Sequence, residues 1–182
     1  MFHEEREEMD KRKEANQRVR EAITNAFFKL FAKKKLDDIT VTEIVTEAHV
    51  ARASFYRNFN SKDEVMDSAI RDALWDMSDG TESGLAQVYR KNHVRRCFEL
   101  FAKYRDNLVE IYRSGFGSRI LDALNSYYEQ VAGDMPANSK ERFSLYVFAG
   151  SLYNTAMTWL KDDRGEEPEE VAEVFCDSIG IL

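Results

Sequence analysis

The chain has 182 residues, which is enough for a small domain joined to a larger one. Hydrophobic residues make up 43% of it and charged residues 32%, with only 8 Gly and 2 Pro, and this composition favours helices over turn-rich β architecture. The net charge of -7 at pH 7 argues against a protein that coats nucleic acid without selectivity.

The N-terminus and the two cysteines bear on where the protein works. The N-terminal residues MFHEEREEMDKRK are densely charged and lack the apolar core of a secretory signal. No apolar run approaches the roughly 20 residues needed to cross a bilayer. We therefore expect a cytoplasmic protein without a membrane-spanning segment. Cys97 and Cys176 lack metal-ligand spacing, so we expect reduced, buried thiols and neither a metal nor a cofactor.

Positive charge is concentrated in the N-terminal third. Residues 11–35 are rich in Lys and Arg, and no Asp or Glu occurs between Ala48 and Lys62, where Arg52 and Arg57 also fall. This segregation is expected when one surface approaches phosphates and the rest of the protein does not.

Apolar spacing and a capping pattern predict the first two helices. Apolar residues recur three and four positions apart from Ala15, which predicts a helix that ends near residues 33–35. Thr40 and Glu43 then form a capping box, in which the Thr hydroxyl accepts from the Glu amide and the Glu carboxylate returns the bond. A short second helix is predicted to begin at Val41.

A tight break and a second capping box predict the next two helices. The chain breaks at His49 and Val50, and a third helix is predicted from about Arg52 to Asn58. The pattern Ser61-Lys-Asp-Glu64 opens a fourth helix. Two capping boxes that bracket two very short helices are a more specific signal than either one alone.

A polar, glycine-bearing segment, Ser78–Gly84, predicts a domain boundary. It divides an N-terminal domain, residues 1–78 with a core at 15–75, from a C-terminal domain, residues 79–182. The C-terminal domain is predicted to begin with one long helix from Leu85 to Tyr104. In all we expect an all-α protein of about nine helices, a three-helix domain followed by a larger helical bundle.

The helix predicted from Ser139 to Lys161 differs from the others because apolar residues surround it. Such a helix must be covered on both sides, once by its own domain and, we expect, once by a second subunit. Pro168 suits the first turn of a last helix. The residues expected at this homodimer interface lie on these two helices: Leu145, Phe148, Gly150, Leu152, Ala156, Trp159, Val171, Val174 and Phe175.

Helix two, the turn and helix three have the pattern of a helix-turn-helix, in which the third helix enters the major groove of DNA. Val50, Phe55 and Phe59 fall on its buried side. An Arg at the start of that helix suits bidentate pairing with guanine, and hydroxyls and Lys suit phosphate oxygens. The expected DNA-binding residues are Thr40, Thr42, Arg52, Ala53, Ser54, Tyr56, Arg57 and Lys62. Any one of them alone is equally well explained as a solvated residue of a helical bundle.

The stretch TVTEIVTEAHVARASFYRNFNSKDEV resembles the DNA-binding domain of the TetR family of regulators, and the close match covers about residues 15 to 75. The segment from Phe148 through Trp159 to Val171 more loosely resembles the C-terminal domain of one branch of that family. The resemblance implies a homodimer on a pseudo-palindromic DNA operator, usually a repressor released by a small-molecule effector.

The chain departs from the family pattern at two positions. His49 occupies a turn position where Gly is common, and it needs a left-handed conformation there. Ala51 stands where Ser or Thr commonly caps the recognition helix, and the missing cap should cost roughly 1 kcal/mol of local stability.

The second domain is rich in aromatic residues with polar tips, which suit a cavity with apolar walls and a few hydrogen bonds. For each of these residues taken singly, core and interface packing is the better explanation. The residues considered for an effector pocket are His93, Arg96, Cys97, Tyr104, Tyr112, Tyr127, Tyr128 and Tyr146.

The sequence contains no phosphate loop, nucleophile elbow or metal-binding cluster, so we expect no enzyme and no catalytic residues. The alternative to a DNA-binding regulator is a dimeric interaction protein whose helix-turn-helix contacts protein. Steep salt dependence of binding separates DNA from a partner held by apolar contacts.

Overall fold

The computed structural model describes residues 2–75, 88–133, 136, 139–162 and 165–181. Every regular element among these residues is helical, which confirms the all-α prediction. None of the described helices is long and apolar enough to span a membrane. The chain divides into two compact units, Met1–Ala69 and Ile70–Leu182. The segment 78–84, where the domain boundary was predicted, lies outside the described residues.

The first unit contains three helices and the start of a fourth. Its core is built from aromatic and branched side chains of all four, and the Phe27 and Phe31 rings stack with centroids 5.4 Å apart. A 3-10 turn, Leu36–Asp38, follows the first helix. The helices are α1 (Phe2–Phe31), α2 (Val41–Glu47), α3 (Arg52–Asn58) and α4 (Lys62–Trp75), and α4 continues into the second unit.

Helix α1 begins earlier than predicted, at Phe2 instead of Ala15. The added residues are mainly Glu, Lys and Arg, which have high helix propensity but form no apolar stripe. Apolar periodicity therefore does not reveal them. Beyond Ala15, a pair spaced by four residues supports the same helix, since Gln17 Nε2 donates to Glu21 Oε1 at 3.0 Å.

The capping signals position the starts of α2 and α4 as predicted, and α3 lies between them at its predicted bounds. Thr40 Oγ1 accepts from the Glu43 amide at 3.2 Å, and Glu43 Oε2 accepts from the Thr40 amide at 3.0 Å, so the first capping box is confirmed. At the start of α4, Ser61 Oγ accepts from the Glu64 amide at 3.1 Å. There the Glu64 carboxylate accepts from the amide of Asn60, at 2.7 Å.

The second unit is a bundle around an aromatic core. Phe148 packs edge-on against Tyr128, at 5.1 Å between ring centroids, and against Phe175, at 5.7 Å. Its elements are α5 (Lys91–Lys103), α6 (Arg105–Ile111), a π-type turn (Tyr112–Phe116), α7 (Gly117–Ala132), α8 (Arg142–Asp162) and α9 (Pro168–Ile179).

The single helix predicted from Leu85 to Tyr104 is wrong at its start. Arg90 has extended backbone angles, φ -108° and ψ 137°, and α5 begins only at Lys91. Apolar spacing continues through the break, so periodicity alone did not reveal it. By contrast, Pro168 does occupy the first turn of α9, as predicted.

Candidate nucleic-acid interface

Helix α3 presents one polar face to solvent and buries the other. Phe55 and Phe59 are buried in the first unit, as predicted, while Val50 is half-buried. Tyr56 is 50% exposed. Arg52, Ala53 and Arg57 are also exposed, and Ser54 is half-buried. The face predicted to read DNA is therefore open within its own unit.

The exposed side chains of this face are bonded to one another. Arg52 donates through Nη2 to Tyr56 Oη at 3.3 Å and through Nη1 to Thr42 Oγ1 at 3.5 Å. Its guanidinium lies 5.7 Å from the centre of the Tyr56 ring. Arg57 Nη2 donates to Ser54 Oγ at 2.9 Å. These contacts restrict both guanidinium groups before any ligand arrives, which lowers the entropy cost of binding.

The Thr40 hydroxyl is already hydrogen-bonded at the start of α2. Its hydroxyl accepts from the Glu43 amide and donates to Glu43 Oε2 at 3.0 Å. Lys34 also donates to the Glu43 carboxylate. The Lys34 hydrogen bond, followed by those from Thr40, lowers the pKa of Glu43 from 4.5 to about 2. A phosphate contact by the Thr40 hydroxyl would have to displace part of this capping box.

The Lys62 side chain, predicted to contact phosphate, is hydrogen-bonded within the first unit. Its ammonium donates to the backbone carbonyls of Leu36, of Asp37 at 3.0 Å and of Ile39 at 2.9 Å. An ammonium has three donors, and these carbonyls use all three. The side chain therefore ties the 3-10 turn to the start of α4, and a phosphate contact by Lys62 would have to replace at least one of these bonds.

Arg20 supports α3 and was missed from the sequence. It donates to the Asn58 carbonyl at 3.4 Å and to Ser68 Oγ at 2.6 Å, and its guanidinium lies 4.8 Å from the centre of the Phe59 ring. These contacts hold the C-terminal end of α3 against α1 and α4. The partners lie far along the chain from Arg20, so no local pattern could have indicated them.

The turn between α2 and α3 has the left-handed residue that the family resemblance implied. His49 has a φ of 54°, the left-handed region. The chain reverses there, with the Val50 amide donating to the Val45 carbonyl at 3.1 Å. Ala51 occupies the N-cap of α3 in an extended conformation without a side-chain cap, also as predicted.

Three of the residues considered for an effector pocket meet in the core of the second unit. His93 Nε2 lies 3.1 Å from Tyr128 Oη, and Cys97 Sγ lies 3.6 Å from the same hydroxyl. All three side chains are buried. Burial raises the pKa of Cys97 to about 12 and raises that of Tyr128, so both stay protonated near neutral pH.

Of the other residues of that set, Tyr127 borders this cluster, while Tyr104, Tyr112 and Tyr146 have other partners. The Tyr112 ring faces the Lys161 ammonium at 4.1 Å, and Tyr104 packs against the Lys103 ammonium at 4.8 Å. Tyr127 contacts the Tyr128 ring edge-on at 5.1 Å, Tyr146 donates to Glu129, and Arg96 is half-buried.

A cleft of about 190 Å³ opens between α5 and α9, and its lining contains none of the residues considered for the effector pocket. Its walls are formed by Lys91, Asn92, Arg95, Glu169, Ala172, Glu173 and Cys176.

Most of the residues predicted at a dimer interface lie inside the second unit. The apolar stripe of α8 that was assigned to the partner faces the unit's own core, and the apolar residues that α8 exposes lie on another side, near its N-terminal end. Phe143 is 69% and Val147 67% exposed on α8, and Val174 is 65% exposed on α9. The buried residues are Leu145, Phe148, Leu152, Ala156 and Phe175.

The remaining interface candidates lie nearer the surface. Gly150 is half-buried, with open space where a side chain would project. Trp159 and Val171 are half-buried, and the Trp159 indole donates to the Glu166 carbonyl at 3.1 Å.

Three comparisons place this geometry among known proteins. Residues 23–69 match the family of bacterial regulatory proteins, tetR family. The chain is 23% identical over 186 residues to the uncharacterized HTH-type transcriptional regulator YxbF of Bacillus subtilis (strain 168). That alignment covers 96% of this chain but only 48% of YxbF, so the chain spans about half the length of this relative.

Solved structures share the fold at low sequence identity. Lin0861 from Listeria innocua superposes with a TM-score of 0.70 at 14% identity and covers 90% of each chain. A TetR transcriptional regulator from Streptococcus agalactiae 2603V gives 0.61 at 18% identity, with 92% of this chain and 97% of that chain covered. FadR from Bacillus subtilis, in complex with stearoyl-CoA, gives 0.53 at 15%, with 86% and 95% covered.

The family match falls on the helix-turn-helix formed by α2, the turn at His49 and α3, and it begins in the buried part of α1. Over residues 23–69, the chain is thus similar to bacterial regulatory proteins of the tetR family, and its helix-turn-helix lies within the matched part.

Proposed function

We propose that the chain is a homodimeric repressor that binds a pseudo-palindromic operator in the cytoplasm and is released by a small molecule. In this proposal, residues 1–78 bind DNA and residues 79–182 hold the dimer and the effector. The observation that carries it is the open face of α3, on which Arg52 and Arg57 are held by their neighbours.

The dimensions of α3 suit the major groove. A seven-residue helix is about 10 Å long, and the groove is about 12 Å wide. Arg52 at the N-terminus of α3 is assigned to bidentate pairing with guanine, and Ala53 lets the helix approach closely enough to touch a thymine methyl. Arg57, near the other end, and Ser54, to which it donates, are assigned to phosphate oxygens.

The dimer proposal is supported by the outward apolar residues of the second unit. Phe143, Val147 and Val174 expose most of their surface to solvent on α8 and α9. Exposed apolar side chains grouped on neighbouring helices favour association with another protein surface. A second copy of the chain would also bring a second α3 to the duplex. Two recognition helices then read half-sites roughly 34 to 36 Å apart.

The effector proposal is supported by polar groups inside the second unit. His93, Cys97 and Tyr128 form a buried hydrogen-bonded cluster beside aromatic rings. FadR, which shares the fold, was solved with stearoyl-CoA. We propose that a small, largely apolar molecule enters this unit, pairs with the Tyr128 hydroxyl or the His93 imidazole, and favours a conformation that releases DNA.

The test is selection of bound sequences from a random duplex pool at fixed salt. We expect enrichment of an inverted repeat with half-site centres about 34 to 36 Å apart, by the wild-type protein and not by an Arg52→Ala variant. Binding should weaken steeply between about 50 and 200 mM salt, since phosphate contacts release counterions. Failure to enrich any sequence would reject the proposal, and salt-independent binding would favour a protein partner.

A further inference from the structure

Helix α1 extends well beyond the core that it helps to form. From residue 11 onward its first buried residue is Ile23, and residues 11–18 are exposed. A three-helix domain of this size does not need these added turns for its packing. The charges of these exposed turns therefore suggest a role for them outside the packing of the core.

The exposed turns carry a dense positive charge, here called the basic band, residues 11–18. It contains Lys11, Arg12, Lys13 and Arg18, with Glu14 as its acidic residue. Consecutive residues of a helix project about 100° apart, so the first three cations lie on three different sides of α1. The remaining side carries Arg18, which is paired with Glu14 at 4.0 Å.

The band begins close to the C-terminal end of the recognition helix. Arg20 donates to the Asn58 carbonyl, which places that part of α1 beside the last turn of α3. Because α3 nearly spans the width of the groove, its C-terminal end approaches the sugar-phosphate backbone. From Arg20 back to Lys11 the helix covers about 14 Å.

We infer that the basic band binds the phosphate backbone of the DNA that flanks each half-site. The inference rests on the proposed function and adds a second contact surface to it. Charge complementarity and continuity with the α3 surface favour DNA as the occupant. The sequence from Glu4 to Asp10 is strongly acidic, so the attraction ends at Lys11. A reach of about 14 Å corresponds to about 4 base pairs of flank.

The test compares operator duplexes and charge variants of the full chain. Wild-type protein should bind an operator with 4 flanking base pairs on each side more tightly than one cut at the half-sites, with no further gain from longer flanks. The double variant Lys11→Gln with Lys13→Gln should lose this gain. On the flanked operator, its log-log salt slope should be shallower by about 0.9 for each phosphate that the variant no longer neutralises.

Matched variants separate a charge contact from damage to the helix. Arg113→Gln with Lys140→Gln removes the same charge from exposed sites in the second unit and should keep the wild-type slope. Lys11→Arg with Lys13→Arg keeps the charge and should behave as wild type. If wild-type protein binds its operator but flanks and band variants change nothing, the inference is overturned while the proposed function stands. If wild-type protein enriches no duplex, both fall.

Discussion

The Lys62 ammonium donates to the backbone carbonyl of Ile39 at 2.9 Å, across the loop that leads into α2. Lys62 also donates to the carbonyls of Leu36 and Asp37 at the end of the first helix and its 3-10 turn, where few backbone donors remain for such carbonyls. A charged side chain at the start of α4 thus acts as a brace for the segment that precedes the helix-turn-helix.

We expect Lys62→Met to lower the stability of the first unit by about 1 to 2 kcal/mol, because hydrogen bonds from a charged, half-buried donor are removed. Chemical denaturation followed by circular dichroism measures this. The salt slope of operator binding should remain that of the wild type. Unchanged stability together with a shallower salt dependence of operator binding would show that Lys62 contacts a phosphate.

We expect Arg52→Ala to weaken operator binding by about 1 to 3 kcal/mol and to relax the choice at one base pair, because the bidentate pairing with guanine is removed. Titration of operator and random duplexes at one salt concentration measures both effects. Lys140→Ala, which changes an exposed cation of the second unit, serves as the control. Equal losses on both duplexes would remove Arg52 from base reading.

The Glu43 carboxylate should make stability depend on acid. Its pKa is lowered from 4.5 to about 2 by hydrogen bonds from Lys34 and Thr40, so the folded state favours the ionised form. The stabilisation is present above pH 4.5 and is lost as the pH falls towards 2.

A Glu43→Gln variant tests this pH dependence. Gln retains the capping geometry but not the charge, so its thermal midpoint should lie below that of the wild type at pH 6 and approach it at about pH 3. Scanning calorimetry across this range measures the difference. A difference that stays constant with pH would show that the charge of Glu43 contributes nothing.

We expect Val147→Glu to convert the dimer to monomers, because a charge would be buried in the proposed apolar interface. Sedimentation velocity at micromolar concentration measures the mass, and the variant should also lose tight operator binding. Gln130→Glu adds the same charge at an exposed position of α7 and should leave the dimer intact. A dimer that survives Val147→Glu would place the interface elsewhere.

Local signals in the sequence were sufficient for the helix-turn-helix. The capping box at Thr40 and Glu43 and the bounds of α3 follow from interactions between residues a few positions apart, whereas the left-handed conformation of His49 was implied by the family resemblance. Such interactions form in much the same way whatever the rest of the chain does. The charged start of α1 was missed because helix propensity without an apolar stripe leaves no periodic pattern.

The tertiary structure decided which side of each helix packs into the core and which side is exposed. Helix α8 has two apolar stripes, and its sequence does not say which one packs inward. The packing of Phe148 against Tyr128 and Phe175 turns the Leu145 stripe to the core and leaves Val147 exposed.

The roles of Lys62 and Arg20 also depend on the tertiary structure. Their partners are brought near only by the fold, 25 and 38 residues away in the contacts to Asp37 and Asn58. The sequence by itself therefore determined the helices and the recognition motif, because short-range hydrogen bonds and periodicity encode them. Burial and long-range pairing required the folded chain, because they depend on which surfaces compete for the same core.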